Sequence, residues 1–125
     1  MGRLRIPSIL IVEDDLLASE LLSCILSSLA ETVYVANDGE QGLAVFQMHR
    51  PSLIITDLHM PVMTGKEMIQ KIRQYDSEVP IVVISAYADT SNVVEQASAT
   101  MTKPVRKEAI QEVVRQLFPC PSYKA

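Results

Sequence analysis

The chain has few of the features that staple a small protein together or send it to a surface. Its two cysteines, Cys24 and Cys120, are far apart and have neither metal-ligand spacing nor a framework pattern. A disulfide scaffold is excluded, and two reduced thiols in a cytoplasmic protein are expected. No apolar stretch approaches the ~20 residues a membrane span needs. The segment 1–7 lacks the apolar core of a secretory leader, and its sixth residue, Ile6, rules out a myristoylation signal. Positive charge is scarce as well. A net charge of −4 with no basic run argues against direct nucleic-acid binding. What the chain does have is length and apolar content. At 125 residues and 48% hydrophobic it can bury a core unaided, and one domain over 1–125 with its core in 8–118 is expected.

Apolar runs of strand length alternate with segments of helical period. Residues 8–12 read as a strand, and 16–29 as a helix with Leu17, Leu21, Ile25 and Leu29 on one stripe. Residues 32–36, rich in Val, Thr and Tyr, read as a second strand. Asn37-Asp38-Gly39 is turn chemistry, and Asp38 is placed to cap a helix over 40–49 that Arg50-Pro51 stops. A third strand, 53–56, leads through a loop containing Pro61 and Gly65 to a helix over 66–75. Pro80 opens a fourth strand, 81–85. A short helix over 90–96, a weak strand over 99–102 and a last helix over 106–118 complete the chain. Ile110, Val113, Val114 and Leu117 face inward on that last helix.

Such alternation implies a parallel sheet with helices on both faces. The first, third and fourth strands are nearly all apolar, as strands buried on both faces are. Right-handed crossovers put every carboxyl end of a strand on one edge, where open α/β sheets bind their ligands. Glu13, Asp14, Asp57, Ser85 and Lys103 all fall at or just past such ends. Carboxylates crowd this way to hold a divalent cation, to do acid/base or phosphoryl chemistry, or both. Taken singly, each residue has a plainer use. Glu13, Asp14 and Asp15 could cap the first helix, and Asp15 is assigned that role. Ser85 could be a turn hydroxyl, Lys103 a solvated cation, and His49 a polar residue in the last turn of its helix. The constellation raises them above those uses.

That constellation is an acidic pair Glu13-Asp14, then Asp57, Ser85 and Lys103-Pro104, each at a strand end. With the stretch Asp57-Leu58-His59-Met60-Pro61-Val62-Met63-Thr64-Gly65, it resembles the receiver domain of bacterial response regulators from Ile9 to Phe118. The resemblance implies a five-stranded doubly wound sheet of order 2-1-3-4-5. It implies Asp57 as phosphoacceptor, loaded by a sensor histidine kinase or a phosphotransfer protein. It implies Mg²⁺ held by Asp14, Asp57 and the backbone carbonyl of His59, with Glu13 acting nearby through water. Ser85 would bond a phosphoryl oxygen, and Lys103 would pair first with Asp57 and then with the phosphoryl group. His59 and Tyr87 fall where the family tunes phosphoryl lifetime. A cis Lys103-Pro104 bond is also implied. Output would go to an effector domain or a partner protein, because nothing after Phe118 is long enough to be one, and a homodimer is admitted.

Elementary electrostatics supports the same roles. Three carboxylates in one cleft repel unless a cation and an ammonium offset them. Phosphoryl transfer needs an in-line nucleophile with positive charge around the equatorial oxygens. A lysine suits the second cation, as a mobile point charge.

Two departures from the family pattern stand out. Thr100 occupies the position of a switch aromatic, whose pocket a threonine cannot fill. Seventeen residues separate Ser85 from Lys103, short of the family interval by about four, roughly one helical turn. A shortened fourth helix and an altered output face are therefore expected. Other classes would leave different marks on the chain. An unphosphorylated pseudo-receiver, acting only as an interaction module, would have no need of Mg²⁺. A Mg²⁺-dependent phosphatase would need a general acid, for which His59 is the nearby candidate, and a substrate pocket. A flavin-binding domain would carry a glycine- or hydroxyl-rich phosphate loop after the first strand, which is missing.

Overall fold

The computed structural model describes residues 6–86 and 96–118. In chain order its elements are β1 (Ile6–Val12), α1 (Leu16–Leu26), β2 (Ala30–Ala36), α2 (Gly39–His49), β3 (Leu53–Asp57), α3 (Gly65–Tyr75), β4 (Ile81–Ser85), β5 (Ala99–Thr102) and α4 (Lys107–Leu117). Every strand pairing is parallel, and the strands lie in the order β2-β1-β3-β4-β5. This is the doubly wound sheet that the alternation of elements implies. Tyr87, Cys120 and the expected helix over 90–96 lie outside the described residues, apart from Gln96, which sits in a turn.

The sheet is buried on both faces because its three central strands are apolar at successive positions. Leu10 and Val12 of β1, Ile54 of β3, and Ile81 and Val83 of β4 join one core with Phe46 of α2 and Met68, Ile69 and Ile72 of α3. The alternate residues Ile9, Ile11, Leu53, Ile55, Val82 and Ile84 join the other, with Leu22 and Leu26 of α1 and Ile110 and Val114 of α4. The two-residue period of a strand thus feeds two separate layers from the same run. Val113 and Leu117 pack against the second core half-buried, so the inward face read for the last helix is correct.

The caps follow the local chemistry. The Asp15 carboxylate accepts from the amides of Leu17 and Ala18, and Asp38 accepts from that of Gln41. Thr64 and Glu67 form a reciprocal capping box at the start of α3. That cap belongs to Thr64 and leaves Asp57 free of any capping duty.

The structure corrects the reading of α1 in two ways. The helix ends at Leu26 and not at residue 29, and its buried residues are Ser19, Leu22 and Leu26. Leu17 and Leu21, read as part of the apolar stripe, are 76% and 58% exposed, and Leu16 is exposed with them. A helix with leucine on several sides offers more than one apolar stripe, so periodicity alone does not choose between them. Elsewhere boundaries shift by a residue or two: β1 and β2 start earlier, at Ile6 and Ala30, and β3 runs one residue further, to Asp57.

Candidate functional site

Register brings the polar strand ends to one edge. Val12 lies beside Thr56, Asp57 beside Ile84, and Ser85 beside Thr102. Glu13-Asp14, Asp57, Ser85 and Lys103 therefore emerge together from four parallel strands. The order reverses at β1, which has β2 on one side and β3 on the other, so the acidic groups sit at the topological switch point.

The Lys103 ammonium bridges two carboxylates. Its Nζ donates to Asp57 Oδ2 at 3.1 Å and to Glu13 Oε1 at 3.2 Å. Both acids are buried, Glu13 to 2% and Asp57 to 8% exposure. Their remaining oxygens are also bonded. Glu13 Oε2 accepts from the Asp15 amide at 3.1 Å, and Asp57 Oδ1 accepts from the Leu58 amide at 2.7 Å and, at 3.4 Å, from that of His59. Burial pushes the Glu13 carboxyl above its ordinary range and the Asp57 charge adds to this; the Asp15 amide and Lys103 pull the other way but do not prevail. Burial pulls the Lys103 ammonium down, but the bonds and charges of Asp57 and Glu13 outweigh it and leave it raised.

Asp14 is exposed at the mouth. One oxygen each from Glu13, Asp14 and Asp57 lie within 4.8 Å of one another. A hard, oxygen-only donor set that reaches solvent on one side fits Mg²⁺, which keeps waters and takes one or two carboxylates.

The loop after Asp57 is pinned at both ends. The Gly65 amide donates to Leu58 O, and the Gly39 amide at the start of α2 donates to Met63 O. A Cβ on Gly65 would stand 2.2 Å from the Asp57 carbonyl oxygen, so only glycine lets α3 start against the site strand. Between these pins Val62 holds φ at 69° and the Met63 amide donates to Pro61 O at 2.7 Å, a tight γ-turn.

Ser85 is buried at the end of β4, and its carbonyl accepts the Lys103 amide at 2.8 Å. The Lys103-Pro104 bond is cis, as expected. Thr100 pairs with Val83 in β5 and is exposed. Beside Glu13 and Lys103 opens an apolar cleft of about 420 Å³, walled by Ala18, Leu21, Leu22 and Ile25 of α1 and by Ile84, Ala86, Pro104 and Val105.

The structure brings together every strand-end residue singled out in the sequence. Three contacts were not foreseen: the second partner of Lys103, Glu13; the close approach at Gly65; and the Arg73 guanidinium on α3, which gathers three backbone carbonyls. The bonds of Lys103 to Glu13 and of Arg73 to Gln96 join residues 90 and 23 apart that only the fold brings near, while the approach at Gly65 and the Arg73 bonds to Asp76 and Val79 are short-range and set by backbone geometry.

Fold and site together define a parallel α/β domain with an acidic cleft and one ammonium at its carboxyl edge. The chain belongs to the response regulator receiver domain family, whose model matches residues 9–117. It is 34% identical over 119 residues to the Regulator of RpoS of Escherichia coli K12, covering 90% of this chain and 34% of that protein. It is 32% identical over 116 residues to the transcriptional regulatory protein AfsQ1 of Streptomyces coelicolor, covering 90% and 51%. The chain thus spans a third to a half of the length of these relatives. Among solved structures, the N-terminal domain of a Wolinella succinogenes protein superposes with a TM-score of 0.84 at 33% identity, over 95% of this chain and 99% of that one. The Thermotoga maritima response regulator TrrA, in complex with Mg²⁺ and beryllium fluoride, superposes with 0.82 at 27% identity, over 90% and 99%.

Proposed function

We propose that this receiver domain accepts a phosphoryl group on Asp57 from a phosphohistidine of a sensor histidine kinase or phosphotransfer protein. The observation that carries the reading is the Lys103 ammonium held 3.1 Å from Asp57 and 3.2 Å from Glu13, at the mouth of a three-carboxylate cleft.

An Asp57 carboxylate oxygen attacks phosphorus in line with the donor's P–N bond. The new O–P bond forms as the P–N bond breaks, and the electron pair returns to the imidazole nitrogen. The Leu58 amide fixes the carboxylate's orientation before attack, which lowers the entropic part of the barrier. Lys103 first holds Asp57 and then follows the charge onto the phosphoryl oxygens, as a flexible lysine stem allows. The Ser85 hydroxyl, one residue past the partner of Asp57 on β4, bonds a phosphoryl oxygen. Glu13, Asp14, Asp57 and the His59 carbonyl are the groups that would hold Mg²⁺. When bound, the ion adds positive charge where the phosphoryl oxygens gather negative charge. The beryllium fluoride complex of TrrA lends support to this placement.

The donor protein has to reach Asp57 across the mouth. The exposed Leu16, Leu17 and Leu21 of α1, and the apolar cleft that Leu21 lines beside Glu13 and Lys103, supply apolar surface near it. Output then passes by conformational change to an effector domain or a partner protein. The test is an intact-mass spectrum after incubation with Mg²⁺ and acetyl phosphate. Uptake of one phosphoryl group, absent with chelator and in Asp57→Asn, supports the reading; uptake that survives Asp57→Asn contradicts it.

A further inference from the structure

Lys103 follows the least secured strand of the sheet. β5 is four residues long, has one neighbour, and alternates half-buried and exposed positions. What fixes the entry of this strand is therefore of consequence for the ammonium at its exit. Two contacts meet the chain there. Ser98 is tied to Ile81 twice: its amide donates to Ile81 O at 2.7 Å, and its Oγ accepts the Ile81 amide at 3.0 Å. Just before it, Arg73 Nε donates to Gln96 O at 3.0 Å. The same guanidinium donates through Nη1 to Val79 O at 2.8 Å and Asp76 O at 3.2 Å. One planar fork thus joins the end of α3, the turn before β4 and the chain entering β5. Lysine could not reproduce it, having a single point of donation.

We propose that Arg73 is a positioning residue for the phosphorylation site. By anchoring Gln96, it sets where β5 enters the sheet, and so how firmly Lys103 is held between Asp57 and Glu13. The chain of contacts is continuous: Arg73 to Gln96, Ser98 to Ile81, the β4–β5 ladder from Val82–Ala99 to Ser85–Thr102, the Lys103 amide to Ser85 O, and Nζ to the two carboxylates. The inference rests on the phosphoacceptor reading of the site.

The test uses Arg73→Met, which keeps the apolar stem and removes the fork. A loosened Lys103 competes less with Mg²⁺ for Glu13 and Asp57. Mg²⁺ affinity by calorimetry is therefore expected to rise by roughly threefold, the scale of a partly exposed ion pair. The maximal rate of phosphorylation by acetyl phosphate at saturating Mg²⁺ is expected to fall about fivefold, the scale of one lost hydrogen bond. In a Lys103→Met background the same substitution leaves Mg²⁺ affinity unchanged, because there is no ammonium left to position. An Arg73→Met protein that binds Mg²⁺ no more tightly than wild type overturns the proposal. So does a gain in affinity that persists without Lys103. Should Arg73→Met not fold, Arg73→Lys replaces it, with a smaller shift in the same direction expected and no shift contradicting the proposal. A wild-type protein that takes up no phosphoryl group would instead sink the phosphoacceptor reading, and the two failures are separable.

Discussion

Glu13 shows how far the chemistry of one residue could be read from the chain. That it stands at a strand mouth beside Asp14 is visible in the run Ile9–Val12 followed by acids, just as Asp57 is visible after its own apolar run. Its share in the ammonium of Lys103 is not, because the partner is 90 residues away and only the strand order brings it near. Its burial, which outweighs that pairing, has a measurable consequence. With its pKa raised chiefly by burial, folded Glu13 binds more protons than unfolded Glu13 above its ordinary 4.5. Its contribution to stability is complete below that value and is lost as pH rises through the raised one. Glu13→Gln removes this dependence. In urea titrations with chelator present, the variant's unfolding free energy is expected to gain on wild type as pH climbs from 4.5 towards neutrality. A difference that stays flat or reverses would contradict the assignment. Lys103 does not disturb this window, since its own raised pKa removes stability only above its ordinary 10.5.

Elements were legible to the extent that their patterns had a single solution. β1, β3 and β4 are apolar at successive positions and could only be central strands. Asp15 and Asp38 mark helix starts by their capping chemistry, whereas the Thr64 cap of α3 emerged only with the structure. α1 had two solutions, and the stripe read from the sequence is half right: Ile25 and Leu29 pack half-buried against the second core, while Leu17 and Leu21 are exposed. The buried line runs through Leu22 and Leu26, one position beyond Leu21 and Ile25, or about 100° around the helix. Leu22→Ala is therefore expected to cost about 2–5 kcal/mol as a core truncation, while Leu17→Ala stays within about 0.5 kcal/mol. Chemical denaturation of both variants decides the matter, and equal losses would restore the original stripe. α3 offers a second test at this scale. Gly65→Ala forces a methyl group against the Asp57 carbonyl, and overpacking of this kind costs about 1–3 kcal/mol. It should also slow phosphorylation, because the strand displaced is the one that presents the acceptor. A variant with wild-type stability and rate would show that α3 does not need this close approach.

For the molecule as a whole, the sheet acts as a device that delivers four strand ends to one edge. The order β2-β1-β3-β4-β5 places acids from two strands, a hydroxyl from a third and an ammonium from a fourth around one opening. That gathering could be read from the sequence because β1, β3 and β4 carry their polar residues at the end of apolar runs, and Lys103-Pro104 marks the end of the weaker β5. What could not be read is how the last strand is anchored, since Arg73 reaches Gln96 across 23 residues of chain. The expectation of an altered output face rests on Thr100 and on the short interval from Ser85 to Lys103. Thr100 is solvent-exposed on an edge strand.

The most direct test of the central claim is to locate the phosphoryl group. The protein is phosphorylated with acetyl phosphate and Mg²⁺, reduced with borohydride to convert an acyl phosphate to an alcohol, digested, and sequenced by tandem mass spectrometry. Homoserine at position 57 is the predicted result. Modification confined to Glu13, Asp14 or Asp15, with position 57 intact, would contradict the account.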